Sequence, residues 1–370
     1  MLIFCTHLTL TENIMTPIKI LLAILLLAFS PLSLAIEQSF YILRTYTPSQ
    51  ISSNKNAIDS LNHHFKKINI LISQAYRVDK EGKVSGGVDP KVFAFAKQHS
   101  LKLMVLITNV GFDKDKAHYF LTHPAAQKKA MAAILTACQQ NHYYGVQFDF
   151  EGISIKDSRA LTKFYLSATE ILHQHGFHVS FAVIPLVGEA PYATSFLKRK
   201  YENWGGVYDL QKLGDKSDFI TIMSYDQHEQ GTAPGPTASI SWVEATIKHT
   251  LKFVPAQKVS LGIAVYSAYW YTGNNSGSST KRITLNLADM NYEQVNSLIK
   301  KRDIKLTWDK NNKINYAIYL HNWLNEYLFV EDSQSFKAKI QLAKQYKLRG
   351  VSVFSLGNED PRIWNTLATK

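Results

Sequence analysis

The part of the sequence best suited to chemistry is residues 145–151, which read Gly-Val-Gln-Phe-Asp-Phe-Glu. Successive side chains of a β-strand point to opposite sides, so Gln147, Asp149 and Glu151 share one face and three apolar side chains share the other. The two carboxyl groups are then about 7 Å apart along the strand, and they disfavour simultaneous ionisation when partly desolvated. One of them therefore tends to retain a proton, which is what a general acid requires.

An acidic strand end alone often caps a loop or forms an ion pair, so the other apolar segments must be considered with it. Residues 218–226 place Thr221, Met223 and Tyr225 on one face of a strand. If that face points inward, Tyr225 and Asp226 reach the same end of the fold as Glu151. This end would then hold several polar and aromatic groups.

Two further segments extend this surface. Residues 259–266 place small side chains and Tyr266 on the inward face, and residues 350–356 place Phe354 there. Trp270 follows the first of these segments and is the tryptophan best placed to form a sugar platform. The C–H groups of a sugar ring stack on aromatic faces and its hydroxyls bind carboxylates, so this combination of side chains suits a carbohydrate.

The elements that must position these residues alternate in type along the chain. Apolar, β-branched runs alternate with segments of helical periodicity, as expected for strands that are each followed by a helix. Strands are predicted at 40–46, 68–75, 101–109, 145–152, 178–185, 218–226, 259–266 and 350–356. Helices are predicted at 90–99, 125–139, 158–175, 242–253 and 335–346. Eight such repeats predict an α/β fold, a (β/α)8 TIM barrel, with Glu151 at the C-terminal face where such barrels place catalytic residues.

One interval is too long for this repeat. About 85 residues separate the seventh and eighth predicted strands, where roughly 30 suffice for a βαβ unit. The interval predicts a small α+β insertion at 272–330, with a helix at 291–300 and a hairpin of strands at 304–308 and 314–319. Such an insertion would form one wall of the active-site face, and residues 36–370 are otherwise expected to be one barrel domain.

The first 35 residues have the pattern of a signal peptide, with Met15 as an alternative start. Lys19 precedes the apolar run 20–29, and residues 33–35 offer small side chains at the cleavage positions. The mature chain is then expected to begin near Ile36 and to be exported, either to the periplasm or out of the cell. Stable membrane insertion after cleavage is not expected, because no later apolar run approaches about 20 residues. An uncleaved membrane anchor is the alternative.

The composition is that of a folded, basic protein, since 46% of its 370 residues are apolar and the net charge is +12. A basic surface suits anionic polymers such as cell-wall glycans, lipid headgroups or nucleic acid. The lysines are scattered, however, so a generally solvated surface fits equally well, and we expect no nucleic-acid partner. Metal-ligand and phosphate-loop motifs are absent from the sequence, so no metal and no cofactor is expected. We expect a monomer.

The acidic segment resembles the fourth-strand signature of the family 18 glycoside hydrolases, Asp-x-x-Asp-x-Asp-x-Glu. Residues 144–151 retain the last Asp and the Glu, whereas Tyr144 replaces the first Asp and Gln147 the second. Three other segments look like the sixth-strand, seventh-strand and terminal motifs of the bacterial branch that resembles spore-cortex and cell-wall N-acetylglucosaminidases: 223–228, 262–266 and 350–364. The resemblance extends over nearly the whole mature chain.

The resemblance implies hydrolysis of β-linked, N-acetylglucosamine-containing glycans, with peptidoglycan as the first choice of substrate and chitin oligomers as the second. It implies a retaining, substrate-assisted mechanism in which the acetamide oxygen of the substrate attacks the anomeric carbon. Glu151 would act as the general acid and later as the base, Asp149 would orient the acetamide, and Tyr225 would hydrogen-bond it. The residues expected to contact the substrate are Gln147, Met223, Asp226, Tyr266, Trp270 and Phe354.

Two departures from the family pattern bear on activity. Gln147 can form hydrogen bonds but cannot titrate, which affects rate and pH optimum. Phe354 stands where the family usually has the Trp that forms the floor of the sugar subsite, so the stacking surface is smaller. A non-catalytic sugar-binding protein on the same barrel is therefore the main alternative, although the retained Glu151 favours an enzyme. A secreted factor that binds an envelope polymer through its basic surface is a third possibility.

Overall fold

The computed structural model describes residues 36–44, 50–188, 194–273 and 284–369. The predicted signal peptide and the end of the first predicted strand lie outside these ranges. The strands are β1 Glu37–Ile42, β2 Ile70–Val78, β3 Val84–Gly86, β4 Lys102–Asn109, β5 Gly145–Asp149, β6 His178–Val183, β7 Phe219–Ile222, β8 Val259–Ala264, β9 Ser267–Gly273, β10 Thr284–Met290, β11 Thr307–Asp309, β12 Ile314–His321, β13 Leu324–Val330 and β14 Gly350–Phe354. The helices are α1 Gln50–His64, α2 Pro90–Gln98, α3 Lys114–Thr122, α4 Pro124–Asn141, α5 Ser158–Gln174, α6 Ser195–Asn203, α7 Leu210–Lys216, α8 Ile240–Thr250, α9 Tyr292–Arg302 and α10 Ser333–Gln345.

Eight of the described strands form a closed parallel barrel. Their spatial order is β1, β14, β8, β7, β6, β5, β4 and β2, and a parallel pairing of β1 with β2 closes the ring. In this register Phe40 of β1 pairs with Val353 on one side and with Leu71 on the other. The prediction of a (β/α)8 TIM barrel is therefore confirmed. Within the described ranges, no helix is both long enough and apolar enough to cross a bilayer.

The alternation of side chains on β5 divides the core into two layers. Val146 and Phe148 point outward, where they and Phe150 pack with Phe164 and Tyr165 of α5. Full burial of one such phenylalanine stabilises the fold by about 1.5–3 kcal/mol. The opposite face of β5 points into the barrel, and a separate apolar cluster fills the barrel interior: Tyr41, Ile70, Ile72, Met104, Leu106 and Phe219.

A second sheet is inserted between β8 and β14, as predicted. It is antiparallel in the order β10, β9, β13, β12 and β11, and α9 packs on one face through Val295, with Ile304 just after the helix in the same apolar cluster. The predicted helix at 291–300 is confirmed as α9. A capping box at Asn291 forms its N-terminal end. The predicted hairpin is confirmed as β11 and β12, although β11 is shorter than expected and Ile304 lies in the core instead.

The insertion differs from the prediction in where it starts. It begins at Ser267 rather than at residue 272, and the sequence analysis did not predict β9, β10 or β13. The apolar run of β8 continues almost without interruption into β9, so the two strands read as one segment in the sequence. This difference changes the position of Trp270, which lies on β9 in the inserted sheet.

Candidate active site

The two acidic residues lie at the C-terminal end of β5, and neighbouring side chains hold the backbone that follows this strand. Asn109, at the end of β4, accepts a hydrogen bond from the backbone N–H of Glu151 (2.9 Å) and donates one to its carbonyl (2.8 Å). Asn109 is itself buried. The side-chain amide therefore makes the same pair of hydrogen bonds that a neighbouring strand would make, at a point where the strand has ended.

Two tyrosines hold the preceding residue in the same way. The hydroxyl of Tyr165 accepts from the backbone N–H of Phe150 (3.2 Å), and the hydroxyl of Tyr208 donates to its carbonyl (2.8 Å). Three side chains thus satisfy four backbone groups of Phe150 and Glu151. The sequence analysis missed all three. Only Asn109 carried a signal, since it is a polar residue at the C-terminal end of a predicted barrel strand.

Asp149 is buried, and its Oδ1 atom has no hydrogen-bond partner among the described residues. Burial raises the pKa of Asp149 to about 7, although a hydrogen bond with Glu151 opposes part of this rise. Desolvation also raises the pKa of Glu151 well above its usual value, and the negative charges of Asp149 and Asp226 add to the effect. The pair therefore retains a proton near neutral pH, and Glu151 is the residue that holds it more strongly.

Gln147 lies one layer deeper in the barrel and is fully buried. Its Oε1 accepts from the hydroxyl of Tyr41 (2.6 Å), and its Nε2 donates to Ser180 Oγ (2.9 Å) and Thr221 Oγ1 (3.1 Å). These three hydrogen bonds use both the oxygen and the nitrogen of the Gln147 amide, and all three partners belong to the barrel interior. The expectation that Gln147 contacts substrate does not fit this position, because strand alternation places it beneath Asp149.

Aromatic side chains from three strand ends form one wall of the site. The ring of Tyr225 stacks on Phe354 at a centroid distance of 5.6 Å, and Tyr266 meets both rings edge-on at 6.4 and 6.3 Å. Met223 packs in the same cluster, and Phe354 is the most exposed of the three rings. A Cβ at Gly262 would lie 2.3 Å from the carbonyl oxygen of Ile222 and 3.1 Å from the ring of Tyr225, so this glycine allows β7 and Tyr225 to approach β8 closely and does not leave space for a ligand.

Charged groups from two other elements lie beside this wall. Asp226 follows β7 with a left-handed backbone (φ 57°), and its Oδ1 accepts a hydrogen bond from the hydroxyl of Tyr266 (2.5 Å). Desolvation and the charge of Asp226 raise the pKa of Asp289, on β10, to about 6. Burial raises the pKa of Asp226, and the positive charge of Lys200 on α6 opposes part of this rise. The Nζ atom of Lys200 also lies 3.3 Å from the carboxylate of Glu229. The insertion therefore contributes an acidic group to this region, which the sequence analysis missed.

Trp270 does not offer an exposed ring for a sugar, although the sequence analysis predicted that it would. It is 0% exposed, and its indole N–H donates to the carbonyl of Gly235 (2.9 Å) in the loop that precedes α8. Its role in this structure is to pack the inserted sheet against the barrel. The physical reason is the early start of the insertion, because β9 turns the chain away from the barrel before Trp270 is reached.

The structure thus brings together seven of the predicted site residues: Asp149, Glu151, Met223, Tyr225, Asp226, Tyr266 and Phe354. It places Gln147 beneath Asp149 and buries Trp270 in the inserted sheet. No group of three or more His, Cys, Asp or Glu side chains arranged to hold a metal ion is found in the described part of the chain. The arrangement is a proton-retaining acid pair beside an aromatic surface. Such a site can protonate a leaving oxygen and bind a sugar ring.

Comparison with curated proteins finds relatives along most of the chain. The uncharacterized glycosylase YvbX of Bacillus subtilis (strain 168) is 27% identical over 315 residues, which cover 84% of this chain and 86% of that protein. The cortical fragment-lytic enzyme of the same organism is 23% identical over 280 residues, which cover 74% of this chain and 61% of that protein.

Comparison with solved structures finds the same fold. The spore cortex-lytic enzyme SleL of Bacillus megaterium QM B1551 superposes with a TM-score of 0.75 at 20% identity, covering 91% of this chain and 74% of that chain. A chitinase from Chromobacterium violaceum ATCC 12472 superposes with a TM-score of 0.76 at 23% identity, covering 90% and 98%.

A family model described as "Glycosyl hydrolases family 18" matches residues 41–359, which include every strand of the barrel except the first residues of β1. The acid pair lies within this match, at the strand end that the fourth-strand signature predicts. The protein therefore belongs to glycosyl hydrolase family 18 and is a glycosidase.

Proposed function

We propose that the protein hydrolyses β-linked glycans that contain N-acetylglucosamine, with peptidoglycan as the preferred substrate and chitin oligomers as the second. The observation that carries this proposal is the buried, proton-retaining pair of Asp149 and Glu151 beside the aromatic wall. The names of relatives support the choice of substrate, since one is called a cortical fragment-lytic enzyme and a structural neighbour is called a chitinase.

The proposed reaction retains the configuration of the anomeric carbon and uses the substrate as its own nucleophile. Glu151 donates its proton to the glycosidic oxygen, and the bond from this oxygen to the anomeric carbon breaks. The acetamide oxygen of the same sugar bonds to that carbon and gives an oxazolinium-like intermediate. The Glu151 carboxylate then takes a proton from water, the water oxygen attacks the anomeric carbon, and the acetamide is released.

Asp149 and Tyr225 would act on the acetamide group during this reaction. The Oδ1 atom of Asp149 has no partner within the described ranges, so it is free to accept a hydrogen bond from the acetamide N–H. The carboxylate would also stabilise the positive charge of the intermediate. Desolvation raises the pKa of Tyr225 well above its usual value, so its hydroxyl keeps its proton and can donate to the acetamide.

The surrounding residues would bind the sugar ring. Phe354 offers a partly exposed ring for stacking, and Tyr266 and Met223 support it from the side. Asp226 is exposed and can accept hydrogen bonds from sugar hydroxyls. A phenylalanine provides less stacking area than a tryptophan, so we expect weaker binding of each sugar than a tryptophan would give.

The proposal is tested by the products that the protein releases. Purified peptidoglycan and chitin oligomers are incubated with the wild type, Glu151→Gln and the control Glu170→Gln, and the fragments are identified by mass spectrometry. Glu170 is a solvent-exposed glutamate on α5. We expect reducing N-acetylglucosamine ends from the wild type and the control, and a loss of about 10²–10⁴-fold in rate for Glu151→Gln.

The contrary result is also informative. If the wild type cleaves neither glycan while it and Glu151→Gln bind glycans equally well, the protein is a sugar-binding protein rather than a glycosidase acting on these substrates. The anomeric form of the first product, followed by NMR, tests the retaining mechanism separately. An inverted first product would contradict the role of the acetamide.

We further propose that the protein acts as a monomer after export to the periplasm or the cell exterior. The support for export is the signal-like pattern of residues 1–35 and the action on spore cortex that the names of the relatives state. The mass of the protein recovered from a cell-envelope fraction tests this. A mature chain that begins near Ile36 is expected, and a full-length chain confined to the cytoplasm would contradict it.

A further inference from the structure

The apex of the β12–β13 hairpin carries the most exposed large apolar side chains in the described part of the chain. Trp323 is 94% exposed, Leu320 67% and Ile318 56%, and Leu324 is also exposed. Folded proteins seldom leave neighbouring large apolar groups in water unless the surface binds something. The four residues are called the apex below.

Apolar side chains of the apex project from both faces of the hairpin. Ala317 and Leu328 are buried under α9, so Leu324 lies on the same face of the sheet by alternation. Ile318 and Leu320 point to the opposite face. The side chain of Trp323 lies in the turn between the strands.

Neither packing nor turn geometry accounts for the tryptophan. Asn322 and Trp323 are the two central residues of the turn, and both have left-handed backbones (φ 51° and 63°). Such a turn favours glycine at its second central position, and a bulky side chain is strained there. Trp323 therefore strains the turn, and its side chain packs against almost nothing.

The C-terminal end of α9 and the residues that follow it are basic and lie beside the hairpin that carries the apex. The guanidinium of Arg302, the last residue of α9, donates to the hydroxyl of Tyr319 (3.2 Å) and to the carboxylate of Glu326, which ties the end of the helix to the hairpin. Three exposed lysines lie next to Arg302 in the sequence, with Asp303 as the only acidic residue among them: Lys300, Lys301 and Lys305. The surface beside the apex is therefore positively charged.

This surface is separate from the candidate active site. Asp289, the acidic group that the insertion contributes there, lies on β10 at one edge of the sheet. Two strands, β9 and β13, lie between β10 and β12, which places β12 about 14 Å from that edge.

We propose that the apex docks the protein on an anionic lipid surface. Trp323, Leu320 and the other apolar side chains of the apex enter the headgroup region, while the lysines of α9 contact lipid phosphates. Tryptophan and aliphatic side chains flanked by lysines are the combination that binds membrane interfaces. Asn322 and Asn325 also flank Trp323, but the three most exposed large side chains are apolar and project from the hairpin, which suits insertion into a headgroup region better than stacking on a single sugar ring.

The test is sedimentation with vesicles of two compositions, one an equal mixture of phosphatidylglycerol and phosphatidylcholine and the other phosphatidylcholine alone. The protein used in this test comprises residues Ile36–Lys370, which form one compact unit. Trp323→Gly is the first variant, because glycine adopts the left-handed backbone without strain and the fold is preserved. Lys300→Glu with Lys301→Glu is the second. Its matched control is Lys128→Glu with Lys129→Glu, the same charge change on two exposed residues of α4.

We expect the wild type and the α4 control to bind phosphatidylglycerol vesicles at least tenfold more tightly than the Trp323→Gly and α9 variants. Binding should weaken as salt is added. Hydrolysis of a soluble glycan oligomer should be unchanged in Trp323→Gly.

The proposal is overturned if the wild type does not bind the anionic vesicles, or if Trp323→Gly binds them equally well. Without vesicle binding, a loss of glycan affinity in Trp323→Gly would assign the apex to a sugar. A loss of self-association in sedimentation velocity would instead assign it to a second copy of the chain.

Discussion

The barrel and the insertion each bury a carboxyl group, and they treat it in opposite ways. Glu326 of the insertion accepts hydrogen bonds from Tyr269 (2.6 Å) and Tyr319 (2.7 Å), and it also pairs with Arg302. Desolvation alone would raise the pKa of Glu326, but these partners hold it below its usual value. Asp149 of the barrel is buried to a similar degree, but no cation pairs with it in the described structure, and its pKa rises to about 7.

The difference separates a carboxylate that holds the fold together from one that is available for chemistry. A buried charge is costly unless donors satisfy it, and most folded proteins supply them. Glu326 follows this rule. Asp149 does not, so its environment favours a bound ligand that can supply the missing donor.

Among the substitutions that test this contrast, Asp149→Asn should have the largest effect on catalysis. The amide cannot take up charge or stabilise the intermediate, so we expect kcat to fall by about 10²–10⁴-fold while the fold is retained. The measurement is glycan hydrolysis together with unfolding in denaturant. Glu326→Gln is the control, and if it loses as much activity as Asp149→Asn, the contrast between the two carboxyls is wrong.

Glu326→Ala should show the largest effect on stability. Removal of the carboxylate leaves Arg302 and two tyrosine hydroxyls without their shared partner, and we expect the free energy of unfolding to fall by about 3 kcal/mol. Denaturant unfolding at pH 7 measures this. A loss below about 0.5 kcal/mol, the range of ordinary surface substitutions, would show that the cluster is not stabilising.

Asn109→Ala tests whether the barrel holds Glu151 through its backbone. Without the two hydrogen bonds the carboxyl loses its fixed position, and a displacement of about 1 Å lowers kcat by up to about 100-fold with little change in KM. The pH profile should shift as well, since the contact between Asp149 and Glu151 would loosen. Asn141→Ala, at the end of α4, is the control, and an unchanged kcat and pH profile for Asn109→Ala would refute the positioning role.

The two carboxyls should also give stability profiles of opposite sign. The pKa of Asp149 is raised from 3.8 to about 7 on folding, so its stabilising contribution is complete below about pH 3.8 and is lost as the pH rises toward 7. The pKa of Glu326 is lowered from 4.5, so its contribution is present above that pH and is lost as the pH falls through its folded pKa.

Denaturant unfolding from pH 3 to pH 8 measures these slopes. Between pH 4 and pH 7, the contribution of Asp149 should lower the free energy of unfolding of the wild type by at least about 1.4 kcal/mol, the value of one pKa unit. This decrease should be absent in Asp149→Asn. Glu326→Gln should change the slope only on the acidic side. Equal slopes in the wild type and Asp149→Asn would mean that Asp149 is not strongly perturbed.

The sequence predicted the barrel because each strand and helix has its own local periodicity. Asp149 and Glu151 were located for the same reason, since strand alternation and the end of a strand are local features. The groups that position them were not predictable in this way. Tyr165 and Tyr208 reach Phe150 from 15 and 58 residues away, and nothing local distinguishes them from core tyrosines.

The error on Trp270 has a related cause. The run of apolar residues from β8 into β9 contains no turn signal, although the chain leaves the barrel between Ala264 and Ser267. A pattern of hydrophobicity indicates that a residue is buried, but it does not indicate which sheet the residue packs against. The same limitation concealed β13, whose partners β9 and β12 are known only once the sheet is assembled.

The amide of Gln147 joins four strands of the barrel, because its partners Tyr41, Ser180 and Thr221 lie on β1, β6 and β7. An amide neither gains nor loses a proton in the physiological range. The amide network therefore fixes the floor of the site without adding a group that titrates there, so the pH dependence of the site is set by the carboxyls above it.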